Sequence, residues 1–434
     1  MGFGNQIPVV QGIAVPVNDN DNKSGYYYQS PSYTNTNNVP YTNQGLQYNQ
    51  EGESFKGQAQ PKRFNDLFFA IAFYVHLAVI GFLFVAAITQ TNAANGGGGG
   101  GGGQYGVTAG AIPYCAAICG VFATGISIFS LGFMMKFPAT LIKMSLIFTV
   151  GLSLVVAILG LIGGQILMGC LGLLFFAFGC CYACAAWSRI PFAAANMNTG
   201  LTAVRANLGL LVIATLVLAV AFGWSIVWSV ATGGMYNTYG TGILFLFLVS
   251  FYWTHQVLQN TMTVTTAGVI GTWWFIPSEA SSCCSRSLMD SFLRATTFSF
   301  GSICFGSLLV AIVQALRRLQ HMTHENEDFN MLACVIDCIL ACIEGILEYL
   351  NKWAYIYVGL YGYSYVEAGK NVFTLFETKG WTSIISDDLV DRALLTMSIG
   401  IGLCTGFVGY TVAMTDKNIF EAAGISTPGQ IGFL

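Results

Sequence analysis

Residues 251–260 read Phe-Tyr-Trp-Thr-His-Gln-Val-Leu-Gln-Asn, and residues 272–275 read Thr-Trp-Trp-Phe. Both lie in a long run with no charged residue, from Ile243 to Ile276. Gln, His and Asn at membrane depth must face protein or water, because hydrocarbon offers them no partner. Aromatic faces beside neutral amides suit an organic cation. A quaternary ammonium has no N–H to donate, yet it is drawn to ring faces within about 6 Å. On that chemistry Trp253, Gln256, Asn260 and Trp273 are candidate residues of a substrate path. The competing account places the rings in an interfacial aromatic belt. It suits Trp273 and Trp274 better than Trp253 and Gln256.

Other reactive side chains carry less. Cys181-xx-Cys184 has ligand spacing but no His nearby, and packing explains it better than a metal. His321 and His324 stand three apart among charged residues and read as solvated. With only four His and no Gly-x-Ser-x-Gly or His-Glu-x-x-His, no nucleophile constellation and no enzyme emerge. No motif calls for a cofactor. The eight consecutive glycines Gly96–Gly103 read as a loop without side chains, since no Gly-Lys-Ser/Thr follows to hold phosphate. His76 and His255 fall inside apolar segments, as a proton relay or as hydrogen-bonded helix contacts. Cys283-Cys284, at a membrane boundary, are either acylated or plain interfacial cysteines.

The elements that must position these residues are membrane helices. The chain is 54% hydrophobic and 9% charged, and a soluble domain carries about 25% charged residues. About nine stretches are apolar for about 20 residues each, the length that spans roughly 30 Å of hydrocarbon. The fold class expected is all-α, a polytopic transmembrane bundle over residues 63–415, with a short polar tail at 416–434. Residues 1–62 are rich in Asn, Gln, Tyr, Gly, Ser and Pro, and are expected to be a disordered cytoplasmic tail. A net charge of −3 leaves no basic footprint for nucleic acid.

The spans are read as Leu67–Ile88, Ala111–Met135, Leu141–Gly163, Ile166–Trp187, Leu208–Val230, one beginning near Ile243, Phe292–Leu316 and Ala393–Met414. Gly160-xxx-Gly164 is expected to let the third and fourth approach closely. Lys62, Arg63, Lys136, Lys143, Arg189 and Arg205 fall on one side, and the opposite loops at 89–108, 164–165 and 231–242 carry no Lys or Arg. That asymmetry puts the N-terminus inside. The segment near 330–350, with Cys334, Cys338 and Cys342 on one stripe, reads as an amphipathic helix on the inner surface that leads into a span. A strict count then delivers Arg317-Arg318 outside, against the positive-inside tendency. Either the 243–276 run holds an extra or re-entrant passage, or the tendency fails locally.

Several stretches also resemble a known family. Gly301-Ser302-Ile303-Cys304-Phe305-Gly306-Ser307 looks like the Gly-Ser-x-x-Phe-Gly-Ser/Ala segment of choline transporter-like proteins. Asn351-Lys352-Trp353-Ala354-Tyr355, Tyr361-Gly362, Ala368-Gly369-Lys370-Asn371 and the Trp253-Thr254-x-x-Val257 element are similar too. The resemblance covers about 60–415 and is nearest the fungal pH-nine-sensitive branch. It implies a multipass plasma-membrane solute carrier that moves choline or a related organic cation without ATP. Ser302 and Phe305, on the span that neighbours the 251–276 segment, join the candidate path. The resemblance also implies a further helix past the glycine-rich last span, which is expected to be missing because the sequence stops at Leu434. The rival reading is a membrane scaffold that recruits unknown protein partners through its 1–62 tail.

Overall fold

A computed structural model describes residues 62–95, 102–239, 243–324, 331–379 and 381–415. The expectations for the N-terminal tail, most of the glycine run and the 416–434 tail lie outside those residues, as do the side chains of His321, His324 and Cys334. The described elements are helical: α1 Leu67–Asn95, α2 Gly102–Lys136, α3 Pro138–Ile162, α4 Ile166–Ala186, α5 Ile190–Ala206, α6 Gly209–Tyr239, α7 Leu244–Phe275, α8 Arg286–Thr296, α9 Phe300–His324, α10 Met331–Tyr361, α11 Tyr365–Lys379 and α12 Trp381–Thr415.

Among the described residues, seven segments are long and apolar enough to cross a membrane. Their large apolar side chains point outward: Phe68, Phe82, Val121 and Phe129 are each more than 70% exposed. In water such surfaces would associate; in lipid they need no partner. The exception is the segment Phe300–Gln320 in α9, whose apolar window is 56% buried against 17% or less in the other six. α9 is therefore the helix around which others pack. α7 and α10 fall outside the seven because Thr, Gln, Asn and His dilute α7 and acidic residues dilute α10.

Local chemistry sets the breaks. Pro138, at the start of α3, has no N–H to continue α2. The α3–α4 turn needs Gly164, whose φ is +75°, and Gln165 N–H donates back to the Gly160 carbonyl at 2.9 Å. The close approach of α3 and α4 expected at this pair occurs at Gly160 and not at Gly164. Gly160 faces Gly169, and Gly164 has nothing near it and serves the turn alone.

Three sequence expectations need correction. Phe292–Leu316 is not one span: α8 ends at Thr296 and α9 starts at Phe300. The Thr296 and Thr297 hydroxyls donate to the Phe292 and Leu293 carbonyls, at 2.9 and 2.5 Å, and such local bonds compete with helix continuation. Second, the segment near 330–350 and the span expected to follow it form one helix. α10 runs unbroken to Tyr361, and Gly362, at φ +69°, turns the chain into α11. Third, the helix of the last span starts well before Ala393: α12 begins at Trp381 and holds Asp387, Asp388 and Asp391 within it. α7 is also continuous, about 48 Å long at 1.5 Å per residue, with no re-entrant passage. Arg317 is instead met by carboxylates of α10, Asp337 at 3.1 Å and Glu344 at 2.8 Å.

The helices form two bundles with separate cores. One core draws on α1, α7, α9, α10 and α11, through residues such as Phe73, Val257, Ile303, Tyr355 and Val372. The other draws on α2, α3, α5 and α12, through Met134, Ile142, Met197 and Leu389. Polar bridges join them. Lys352 of α10 reaches Asp387 at 3.0 Å and Asp391 at 2.6 Å on α12. Asn207, after α5, donates to the Ala280 carbonyl at 2.5 Å beyond α7.

Candidate solute pathway

The candidate residues of α7 sit where that helix meets α9 and α10. Asn260 Nδ2 donates to Ser307 Oγ at 3.0 Å and to Gln256 Oε1 at 3.3 Å. Gln256 Nε2 in turn donates to Gln314 Oε1 at 3.4 Å, and Gln314 Nε2 donates to Glu348 Oε1 at 3.0 Å. The result is a ladder of neutral amides that ends on a carboxylate. It forms because residues four apart on α7 and seven apart on α9 return to the same helix face. At 1.5 Å per residue, Gln314 and the exposed Glu348 both stand about 20 Å along their helices, from Gly301 at the start of α9 and from the turn at Gly362, which is roughly two-thirds of a 30 Å span. A carboxylate at that depth points to function.

At the lower end of the ladder, Ser307 Oγ lies 3.3 Å from the hydroxyl of fully buried Tyr355, which donates to the Ile303 carbonyl at 3.1 Å. Tyr365 donates to Asn351 Oδ1, while Asn351 Nδ2 donates to the Gly306 carbonyl at 3.0 Å. Only glycine fits at 306: a Cβ there would stand 2.3 Å from the Tyr365 ring and 2.5 Å from the Tyr355 hydroxyl.

The remaining candidates have other surroundings. Trp253 is 6% exposed, its Nε1 donates to the Cys304 carbonyl at 2.9 Å, and its ring lies 5.2 Å from Phe73 and 5.0 Å from His76. It forms a wall held from both sides. Ser302 donates to Asp66 Oδ2 at 2.6 Å. Phe305 stacks on Phe69 at 4.2 Å and meets Tyr365 edge-on at 5.0 Å. Trp273, half-buried near the end of α7, is about 20 Å along the helix from Asn260 and does not join the others. The two intramembrane histidines each find a serine: His76 Nε2 lies 2.7 Å from Ser250 Oγ and His255 Nε2 lies 3.1 Å from Ser225 Oγ.

Sequence reasoning missed the junction below. Asp66, just before α1, takes a left-handed φ of 52° and accepts from both Ser302 and the Tyr365 N–H, at 3.1 Å. Asn65 donates its side chain to the Gly362 carbonyl at 2.9 Å and its N–H to the Phe298 carbonyl at 3.1 Å. The starts of α1 and α9 and the α10–α11 turn are thus tied at one point. The one signal in the sequence is an Asp immediately before an apolar run, a helix-start residue.

The model of the family described as "Plasma-membrane choline transporter" matches residues 166–432. The chain belongs to that family. Its ladder and junction both draw on the part that the family model covers. Relatives extend further: a CTL-like protein of Dictyostelium discoideum is 25% identical over 425 residues, covering 89% of this chain and 74% of that protein. Protein PNS1 of Candida albicans is 26% identical over 424 residues, 88% of this chain and 79% of its own length. Protein PNS1 of Debaryomyces hansenii is 33% identical over a shorter 191 residues, 43% of this chain and 36% of that one. This is a multipass membrane protein of transporter type.

Proposed function

We propose that the chain moves choline or a related organic cation down its gradient across the plasma membrane, by alternating access between the two bundles. It crosses nine times, through α1, α2, α3, α4, α6, α7, α9, α10 and α12, with a cytoplasmic N-terminus. The observation that carries this reading is the ladder Asn260–Gln256–Gln314–Glu348, neutral amides leading to one carboxylate between α7, α9 and α10. Carboxylate and amide oxygens attract a quaternary ammonium without needing a donor from it, and the aromatic walls add ring faces. Gln256 and Asn260 line the path in this proposal. Trp253 and Phe305 wall it, Ser302 holds its lower end through Asp66, and Trp273 flanks one mouth. Two cores from separate helices, bridged by polar contacts, are bodies that can move against each other, and the ladder belongs to the first of them.

Radiolabelled choline uptake into liposomes that contain only the purified chain tests this directly. Saturable uptake without ATP is expected. Other quaternary ammonium ions should compete, and 3,3-dimethylbutanol, choline's uncharged carbon analogue, should not. Uptake no faster than in empty liposomes, across a series of amines and with monodisperse protein, would reject the proposal.

A further inference from the structure

The connection from α7 to α8 is built to hold two thiols at the edge of the membrane. Its flanks are fixed by one buried residue. Asn207 Nδ2 donates to the Ala280 carbonyl at 2.5 Å, and Asn207 Oδ1 accepts from Ser285 Oγ at 3.3 Å. Ser285 also caps α8, accepting from the Leu288 N–H at 3.2 Å. Between these anchors Cys283 and Cys284 are both exposed. The surface on either side is apolar and outward-facing: Trp274 and Phe275 at the end of α7, Met289 and Leu293 on α8. α8 is amphipathic, with Leu288 and Ala295 inward and Arg286 and Asp290 at the surface. A short amphipathic helix with exposed apolar residues, next to exposed tryptophan, marks the interfacial layer of a bilayer.

The same end of the molecule gathers positive charge. Arg286 and Arg294 lie on α8, Arg205 precedes Asn207, and Lys62 and Arg63 precede Asn65, whose N–H bonds the Phe298 carbonyl just past α8. Basic residues at one end place it on the cytoplasmic side, where anionic lipid and acyl-coenzyme A are found. Cys115 and Cys304, by contrast, are buried inside the helix packing.

We infer that Cys283 and Cys284 are a site of reversible S-acylation by a long-chain fatty acyl group. The sulfur of each thiol attacks the acyl carbonyl carbon of an acyl-coenzyme A. A new C–S bond forms, the bond to the coenzyme A sulfur breaks, and the thiol proton leaves with coenzyme A as its free thiol. A membrane acyltransferase supplies the catalysis. The attached chains enter the leaflet beside Met289 and Leu293, so acylation holds α8 to the membrane. This inference does not depend on which solute is carried; it depends on this end facing the cytoplasm.

The test is metabolic labelling of cells expressing the full chain with an alkynyl palmitate analogue, followed by reporter coupling. Label on the wild-type chain that hydroxylamine removes is expected. The Cys283→Ser/Cys284→Ser double variant should lose at least about nine-tenths of the signal, and the Cys180→Ser/Cys181→Ser/Cys184→Ser variant should keep it. Mapping the wild-type chain by mass spectrometry gives a reading independent of variant folding: the acyl group belongs on the peptide with the paired cysteines. No label on the wild-type chain, undiminished label on the double variant, or acyl groups mapped only to other cysteines would overturn the inference.

Discussion

Lys352→Met would remove the ammonium that joins the two bundles. The group sits 3.0 and 3.1 Å from the Asp387 oxygens and 2.6 Å from Asp391 Oδ2. Its loss leaves two carboxylates one turn apart on α12 without their cation. Opposite charges about 3 Å apart attract by about 5 kcal/mol at an effective dielectric of about 20, before dehydration is counted. Lys352 is 34% and Asp391 50% exposed, so screening takes back much of this, while Asp387 at 20% is better sheltered. Exposed pairs contribute about 0.2–1 kcal/mol and breaking a buried one costs about 3–5 kcal/mol, so we expect about 2 kcal/mol here. That is about a 30-fold change in an equilibrium, and a few degrees in the unfolding midpoint. The assay is thermal unfolding in detergent, followed by size-exclusion recovery. The triple variant Lys352→Met/Asp387→Asn/Asp391→Asn should regain most of the loss, since it leaves no unpaired charge. A single variant as stable as wild type, or a triple variant no better than the single, would refute the reasoning.

Gly306→Val should prevent folding, because its side chain would enter the space of Tyr355 and Tyr365, both fixed by hydrogen bonds. The yield of monodisperse protein reads this, with Gly400→Val, where nothing lies within 4 Å, as the tolerant control. Glu348→Gln keeps the bond from Gln314 in shape but removes the charge. Choline uptake should fall at least about tenfold, from the loss of about 1.4 kcal/mol of cation attraction, while surface expression stays level. Ser302→Ala should lower stability by about 1.5–3 kcal/mol, the range for a bond to a charged group, and Asp66→Ala by more, because Tyr365 N–H also loses its acceptor. Unfolding midpoints for the pair settle their order.

The helical class and the early spans were legible because hydrocarbon imposes a strong code: an apolar run of fixed length, stopped by charge, Pro or Gly. Pro138 and the Gly163-Gly164 turn marked α3 and α4 to within a few residues. The break between α8 and α9 was read through because Phe292, Leu293, Phe298 and Phe300 flank it and a long apolar run follows, although Arg294, Thr296, Thr297 and Ser299 stand at the break and two threonine hydroxyls divert the backbone there. α10 misled for the opposite reason, since its Asp337 and Glu344 read as a surface face but find Arg317 on another helix. At the site, Gln256 and Asn260 share a face through local spacing, so sequence alone pairs them. Their partners Gln314 and Ser307 lie 58 and 47 residues away, and Asp66 meets Ser302 across 236. Contacts at that separation follow from how helices are arranged in space, which periodicity does not encode.

The α3–α4 hairpin ends in Gly163-Gly164-Gln165, with no ionised group at its tip and with Ile162 and Ile166 largely uncovered. The opposite ends of these helices differ: α2 ends on Lys136 before α3, and α4 runs into Trp187 and Arg189, whereas this corner has only grease and one amide. Its height follows the thickness of the surrounding leaflets, and α3 transmits that height to the second core through Ile142 and Leu146. A thicker or thinner bilayer is thus expected to shift α3 against the second core.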